Sequence, residues 1–375
     1  ALSYMRRMTS LRGMEKAALS QQPALLGINN IISVSSAYSS VVITGPKLED
    51  AFKVGNIQLT EPYFGTDKEL KRSIRQSLKS ISEPKQPMQE FADSVNAILL
   101  PYSPMRGVDL DTASVEAVDL AFVEDCFNRA FGDISGMKVF IASDYDEETV
   151  KDCVCKYIAS IPAKSGPAVP KAALVPDIKS SATIDIKKPA KKVPLSYISY
   201  NSVTSSCACP KTDVIIEILD YIMSARYLNQ IREERGGTYT VSFKTDKYPV
   251  LNSKNKTKKY LLTSCVNFQT RVELRDILLQ DSKDLLALMA AEGPTESELA
   301  EAQKYFAKRY KMRIQQQVLS SSFWITRLQN IVFYGKKWDD KYIEHLNSVK
   351  ASEVKALAAK LYRGDKIIGV YTEEK

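Results

Sequence analysis

Residues 228–243 read LNQIREERGGTYTVSF, and the division of this stretch decides the fold. Up to Arg235 the order of apolar and charged residues follows a helical period. Gly236 and Gly237 then offer the left-handed conformations of a helix C-cap, which other residues resist. From Thr238 the pattern alternates, with Tyr239, Val241 and Phe243 on one face and Thr238, Thr240 and Ser242 on the other. A helix therefore runs into a strand. Two readings of its side chains stand open. In the first, Tyr239 is a core aromatic and the charges of Arg232 and Arg235 favour the helix C-terminus. In the second, Arg232 on the last turn and Tyr239 at the strand head project to one edge of a sheet, where a guanidinium and a phenol donate hydrogen bonds to a carbonyl or a developing oxyanion.

Working outward, strands are expected near 182–187 and 195–203, a long helix over 211–235, and strands over 238–247 and 258–268. Helices follow near 271–291, 295–318, 320–334, 338–347 and 351–362, and KIIGVYT (366–372) closes with a strand. Upstream, 29–45 reads as two short strands, and Pro46 suits the first position of the next helix. Thr66 with Glu69 forms a capping box that starts another helix. More helix is expected at 86–99 and 114–131, a buried strand at 136–143, and a last helix at 146–160. Four prolines and a glycine in SIPAKSGPAVPKAALVPD (160–177) break both periodicities and mark a linker.

The two halves repeat one order: helix, two strands, a run of helices, one strand. Thr66 with Glu69 and Thr295 with Glu298 open equivalent helices, and Val139 and Ile368 lie equally far downstream, a period near 230 residues. This implies an α+β fold of two homologous units, each an antiparallel sheet with helices mainly on one face. The expected bounds are 1–165 for the first unit, 166–180 for the linker and 181–375 for the second. The first copy begins almost inside its first helix, so it is expected to lack its opening strands and to leave an unpaired sheet edge, a surface suited to another chain or to a homodimer.

Composition narrows the function classes. At 375 residues, 44% hydrophobic and 26% charged, the chain has material for ordinary globular cores. No run approaches the roughly 18 to 20 apolar residues of a membrane span, and ALSYMRRMTS at the start lacks the apolar core of a signal peptide. The formal charge of +8 is spread along the chain and thickens in IDIKKPAKKVP (184–194), a solvated run rather than a nucleic-acid patch. A basic nucleic-acid-binding protein rests on net charge alone.

Six cysteines (Cys126, Cys153, Cys155, Cys207, Cys209 and Cys265) form no CxxC, and the two CxC pairs lack a second ligand pair at zinc-site spacing. His345 is the single histidine, and Glu344 beside it points to a different helix face. A Ser/His/Asp or Cys/His arrangement would have to recruit His345, and there is no GxSxG, P-loop or GxGxxG.

LNQIREERGGTYTVSF, with the spacing from Arg232 to Tyr239, closely resembles the C-terminal half of pitrilysin/insulinase-family zinc metallopeptidases. GPTESELAEAQKYFAKRYKMRIQQQVLSSSFWITRLQNIVFYG (293–335) resembles the helical stretch of that family's last domain. TEPYFGTDKELKRSIRQSLKSI and KVFIASDYDEETVKDCVCKYIASIP resemble the preceding one, so the likeness runs in order along the chain.

The resemblance implies a half that walls a cleavage chamber, with Arg232 and Tyr239 reaching a peptide or unfolded protein substrate near the scissile bond. The family's inverted His-x-x-Glu-His motif is absent. The resemblance therefore implies no cofactor in this chain, zinc in an N-terminal half or partner subunit, and no hydrolysis by the chain alone. The alternative is a separate noncatalytic subunit resembling processing-peptidase partners or respiratory-complex core proteins. The likeness has a bacterial flavour, which suggests a periplasmic or envelope peptidase.

Overall fold

A computed structural model describes residues 10–11, 27–34, 39–83, 85, 87–99, 112–162, 181–190, 193–251, 257–334 and 341–374. These fall into two compact units, and the expected linker, 166–180, lies outside the described residues.

In the first unit β1 (Ser10–Leu11) comes first, then β2 (Asn29–Val34) and β3 (Ser39–Thr44), which pair antiparallel with each other. Next comes α1 (Leu48–Thr60), starting two residues after Pro46 with Lys47 as its N-cap. β4 (Pro62–Tyr63) pairs with β1. α2 (Asp67–Ser82) opens on the expected capping box, in which the Thr66 hydroxyl accepts from the Glu69 amide and the Glu69 carboxylate accepts from the Thr66 amide. The helix expected over 114–131 is two helices. α3 (Pro87–Leu99) precedes them in sequence, then come α4 (Thr112–Glu116) and α5 (Leu120–Phe131), with Asp119 capping the latter, and finally α6 (Glu147–Tyr157). Leu70, Val115, Val118, Val123 and Phe127 form this unit's core.

The stretch 136–143 is irregular rather than a strand, and Val139 is 44% exposed. Its counterpart in the second unit is a strand because two others flank it. No described strand takes those places here.

The second unit contains β5 (Ala182–Pro189), β6 (Leu195–Cys207), α7 (Pro210–Tyr227), β7 (Ser242–Leu251), β8 (Thr257–Arg271), α8 (Arg275–Glu292), α9 (Glu296–Gln317), α10 (Ser321–Tyr334), α11 (Tyr342–Ser348), α12 (Ala351–Arg363) and β9 (Asp365–Glu374). Its five-stranded sheet has the order β5-β9-β6-β8-β7. All neighbours are antiparallel except β5 with β9, so the sheet is mixed where the sequence suggested a purely antiparallel one.

Alternation along the strands sends Ile198, Tyr200, Leu262, Val266 and Phe268 to one face. There they meet Ile218, Ile222 and Met223 of α7, Leu278 and Leu286 of α8, and Leu357 and Leu361 of α12. Arg226 on α7 grips both carboxylate oxygens of Glu298 at 2.8 Å, tying α7 to the capping box that opens α9 and holding the Glu298 carboxyl down to about 2.

The opposite face carries α3, which groups with this unit although the sequence reading gave it to the first. Phe91, Val95 and Leu99 recur every four residues on one side of α3. They bury against Val203, Ile367 and Tyr371, and Lys188 on β5 pairs with Glu90 at 3.0 Å. Gly369 on β9 makes the approach possible: a Cβ there would stand 2.6 Å from Val95 and 2.9 Å from the Phe91 ring. Among the described residues α3 packs mainly on the β5-β9-β6 side of this face.

Candidate substrate-contact site

The long helix expected over 211–235 changes character at Leu228. Residues Leu228–Glu234 are a π-helical segment, with the Arg235 amide donating to the Gln230 carbonyl and Asn229 reaching Glu234 five residues on at 2.8 Å. This extra-wide turn carries Arg232.

The segment ends on two glycines with separate tasks. Gly236 takes φ +58 and its amide donates to the Arg232 carbonyl, while the Gly237 amide donates to that of Ile231. Gly237 is not left-handed, against the sequence reading. It is required because a Cβ would lie 2.5 Å from Leu278 of α8.

Strand structure begins at Ser242 rather than Thr238. Val241 and Phe243 are buried, as the alternation predicts, but Tyr239 is 91% exposed, which removes the core-aromatic reading. It stands on a short loop with both ends anchored. At the helical end Arg235 binds Asp281 of α8 through two contacts at 2.9 and 3.3 Å, and the buried Tyr227 hydroxyl donates to the Ser282 carbonyl. At the strand end the Ser224 hydroxyl donates to the Phe243 carbonyl and accepts from its amide, and the Tyr227 and Phe243 rings stack at 5.7 Å.

Asp220 accepts from both the amide and the hydroxyl of Thr245 at 2.9 and 2.6 Å. Burial pushes the Asp220 carboxyl up to about 6 in spite of those two bonds.

The two arginines thus separate. Arg235 is committed to Asp281. Arg232 has a side chain 48% exposed and meets the carboxylate of Glu233 at 3.5 Å, another exposed group. Arg232 and Tyr239 are polar, accessible and mounted on a rigid frame, an arrangement able to donate hydrogen bonds to a ligand carbonyl.

Beyond Tyr239 the β8-β7 side of the face that carries α3 is polar. β6 presents Ser199 and Asn201, β8 presents Thr263, Cys265 and Asn267, and β7 presents Ser242, Lys244 and Asp246. A cleft of about 330 Å³ lies here, walled by Asn96 and Leu99 of α3 and by Tyr248. Apart from Cys265 among the cysteines and Ser242 in the alternation, the sequence does not single these residues out, although the polar alternation in β6 and β8 is visible. Asp220 and the π-helical turn left no comparable signal.

The residues present do not fit a zinc ion of the His-x-x-Glu-His kind. The chain has one histidine, and among the described residues no three His, Cys, Asp or Glu side chains are grouped to hold a metal. His345 lies on α11, where its amide donates to the Lys341 carbonyl, and all six cysteines are free thiols. Among the described residues no helix is long and apolar enough to cross a membrane.

Residues 118–306 match the model of the peptidase M16 inactive domain, and the chain belongs to that family. It is the C-terminal, non-zinc-binding half of an M16-type peptidase in fold. Three solved structures share this architecture. The peptidase M16 inactive domain from Pseudomonas fluorescens superposes with a TM-score of 0.73 at 19% identity, over 98% of this chain and 87% of the other. The periplasmic protease PqqL from Escherichia coli gives 0.77 at 15% identity, over 99% of this chain but 40% of that protein. The ferredoxin protease FusC, solved in complex with Arabidopsis ferredoxin, gives 0.72 at 14% identity, again over 40% of its length. No curated protein sequence matches the chain.

Proposed function

We propose that this chain is the substrate-contacting half of a zinc-dependent endopeptidase and that Arg232 and Tyr239 hold the peptide near the scissile bond. The zinc-bearing half would belong to the same polypeptide or to a partner subunit, and the substrate is a peptide or unfolded protein. The observation that carries this reading is the exposure of Tyr239 on a loop whose two ends are fixed by Arg235, Tyr227 and Ser224. A surface tyrosine with no packing role, held this firmly on the helix-to-strand connection that also carries the half-exposed Arg232 guanidinium, suits transition-state recognition. As the attacked carbonyl gains negative charge, the phenol and guanidinium donors bind it more strongly than they bind the ground state, which is what lowers a barrier.

The chain supplies no general base and no metal ligand set in this scheme, so it contributes binding rather than the nucleophile. The periplasmic location of one structural relative agrees with an envelope setting. Pairing through the β2–β3 edge would permit a homodimer.

Reconstitution tests the reading. The purified chain mixed with a zinc-bearing M16 half from the same genome should hydrolyse unfolded peptides, while neither component does so alone. Hydrolysis by the second component at an equal rate without this chain would overturn it.

A further inference from the structure

The cleft between α3 and the β8-β7 side of the sheet holds two buried polar atoms that no described protein group satisfies: the Oδ1 of Asn201 and the Oγ1 of Thr263. Asn201 is 1% and Thr263 7% exposed. The orientation of the Asn201 amide is fixed, because its nitrogen donates to the Ile367 carbonyl at 3.0 Å and to the Ser199 hydroxyl at 2.9 Å. A carbonyl oxygen only accepts, so the Asn201 nitrogen must face it and Oδ1 is left for another donor. Asn201 pairs across the strands with Cys265, and Thr263 is two residues from Cys265 on β8, so the acceptor and the hydroxyl are diagonal neighbours on one face.

The charge of the wall limits what fits. Lys244 and Asp246 neutralise each other at 2.6 Å, and the other lining residues are uncharged. A charged ligand finds no counter-ion, and an apolar one leaves both buried polar atoms unpaired, the costly outcome for such groups. A neutral group that donates and accepts at once satisfies both. At about 330 Å³ the cleft sits at the small end of ligand sites, a size suited to one side chain.

We propose that this cleft is a specificity subsite for the carboxamide side chain of a glutamine or asparagine in a bound peptide. The amide N–H donates to Asn201 and its carbonyl accepts from Thr263. The subsite deepens the peptide-contact reading and rests on it for the peptide: Ser242, which lines the cleft, follows Tyr239 by three residues, a reach of at most about 10 Å along the chain.

The test uses the intact chain without any zinc-bearing partner, so that it stands apart from the hydrolysis experiment. N-acetyl-glutamine-N-methylamide and its methionine analogue are titrated and followed by NMR. The glutamine probe should give saturable shifts and bind at least tenfold more tightly. Thr263→Val should bring the two probes within twofold, and Thr263→Ser, which keeps the hydroxyl, should preserve the preference. Circular dichroism confirms that each variant folds. Equal binding of both probes, no saturable shift, or a preference that survives Thr263→Val would overturn the assignment.

Discussion

On the face covered by α7, α8 and α12, β6 and β8 of the second unit present Ile198, Tyr200, Leu262, Val266 and Phe268, all buried in one core. On the other face the same two strands present Ser199, Asn201, Thr263, Cys265 and Asn267, with Tyr197, Val203 and Leu261 packed in the cluster that α3 forms. The first face is mainly apolar, with Ser196, Ser202, Ser264 and Thr270 buried among the apolar side chains. The second buries Asn201 and Thr263 with the Oδ1 and Oγ1 unpaired, as the Ser202 Oγ and Thr270 Oγ1 are on the first face, but here the two residues line a cleft. What sets the second face apart is the cleft of about 330 Å³ that these residues line. The same division holds at the helix end, where Arg235 and Tyr227 are spent on packing while Arg232 and Tyr239 are left accessible.

Changes on the two faces should therefore differ in size and sign. Leu262→Ala empties a fully buried site on the helix-covered face and should cost about 2–5 kcal/mol in urea unfolding. A loss near that of an exposed site would mean that this face is not the main core.

Asp220 ranks next. Its carboxyl is raised from the ordinary aspartate value to about 6, so between roughly pH 4 and 6 the folded chain holds a proton that the unfolded chain has released. Stability from this group is complete below about pH 4 and falls as pH rises to about 6. The loss is a few kcal/mol at most, since each tenfold change in proton affinity is worth about 1.4 kcal/mol. Asp220→Asn should flatten that part of the wild-type urea-midpoint profile between pH 4.5 and 7. An identical slope in wild type and variant would refute the assignment.

Gly369→Ala drives a methyl into Val95 and Phe91 and should cost about 1–3 kcal/mol. Hydrogen exchange should show the loss concentrated in α3. Protection falling evenly over the sheet instead would mean that α3 is not held by this contact. The smallest effect has the opposite sign. Thr263→Val removes an unsatisfied buried hydroxyl from a strand and should raise Tm by about 2–4 °C, the change expected for roughly 1 kcal/mol in a domain of this size. A lower Tm would mean that the hydroxyl is already satisfied.

Much of this was legible in the residues. Thr66 with Glu69 and Thr295 with Glu298 form the capping boxes the spacing announced, and alternation placed β5 to β9 within a few residues. These are local signals, each needing only near neighbours in sequence. What could not be read is what depends on distant partners. The 136–143 segment is apolar enough for a strand, but strand structure requires flanking strands. α3 has an amphipathic face at helical spacing, yet nothing in its own residues says which sheet will take it. Gly369 supplies the answer from more than 250 residues downstream.

At the candidate site the Arg232 to Tyr239 spacing was readable. The exposure of Tyr239 was not, because TYTVSF alternates from its first residue while the ladder begins only at Ser242. The π-helical turn was hidden as well, since LNQIREE fits an ordinary helix by pattern.

The most direct test of the account is Tyr239→Phe in the assembled, zinc-loaded peptidase, measured as single-turnover cleavage together with zinc content. Removing one transition-state donor should lower the rate about 10²–10³-fold while bound zinc and overall fold stay unchanged. A cleavage rate equal to wild type would contradict the account and leave Tyr239 as a surface residue of the loop.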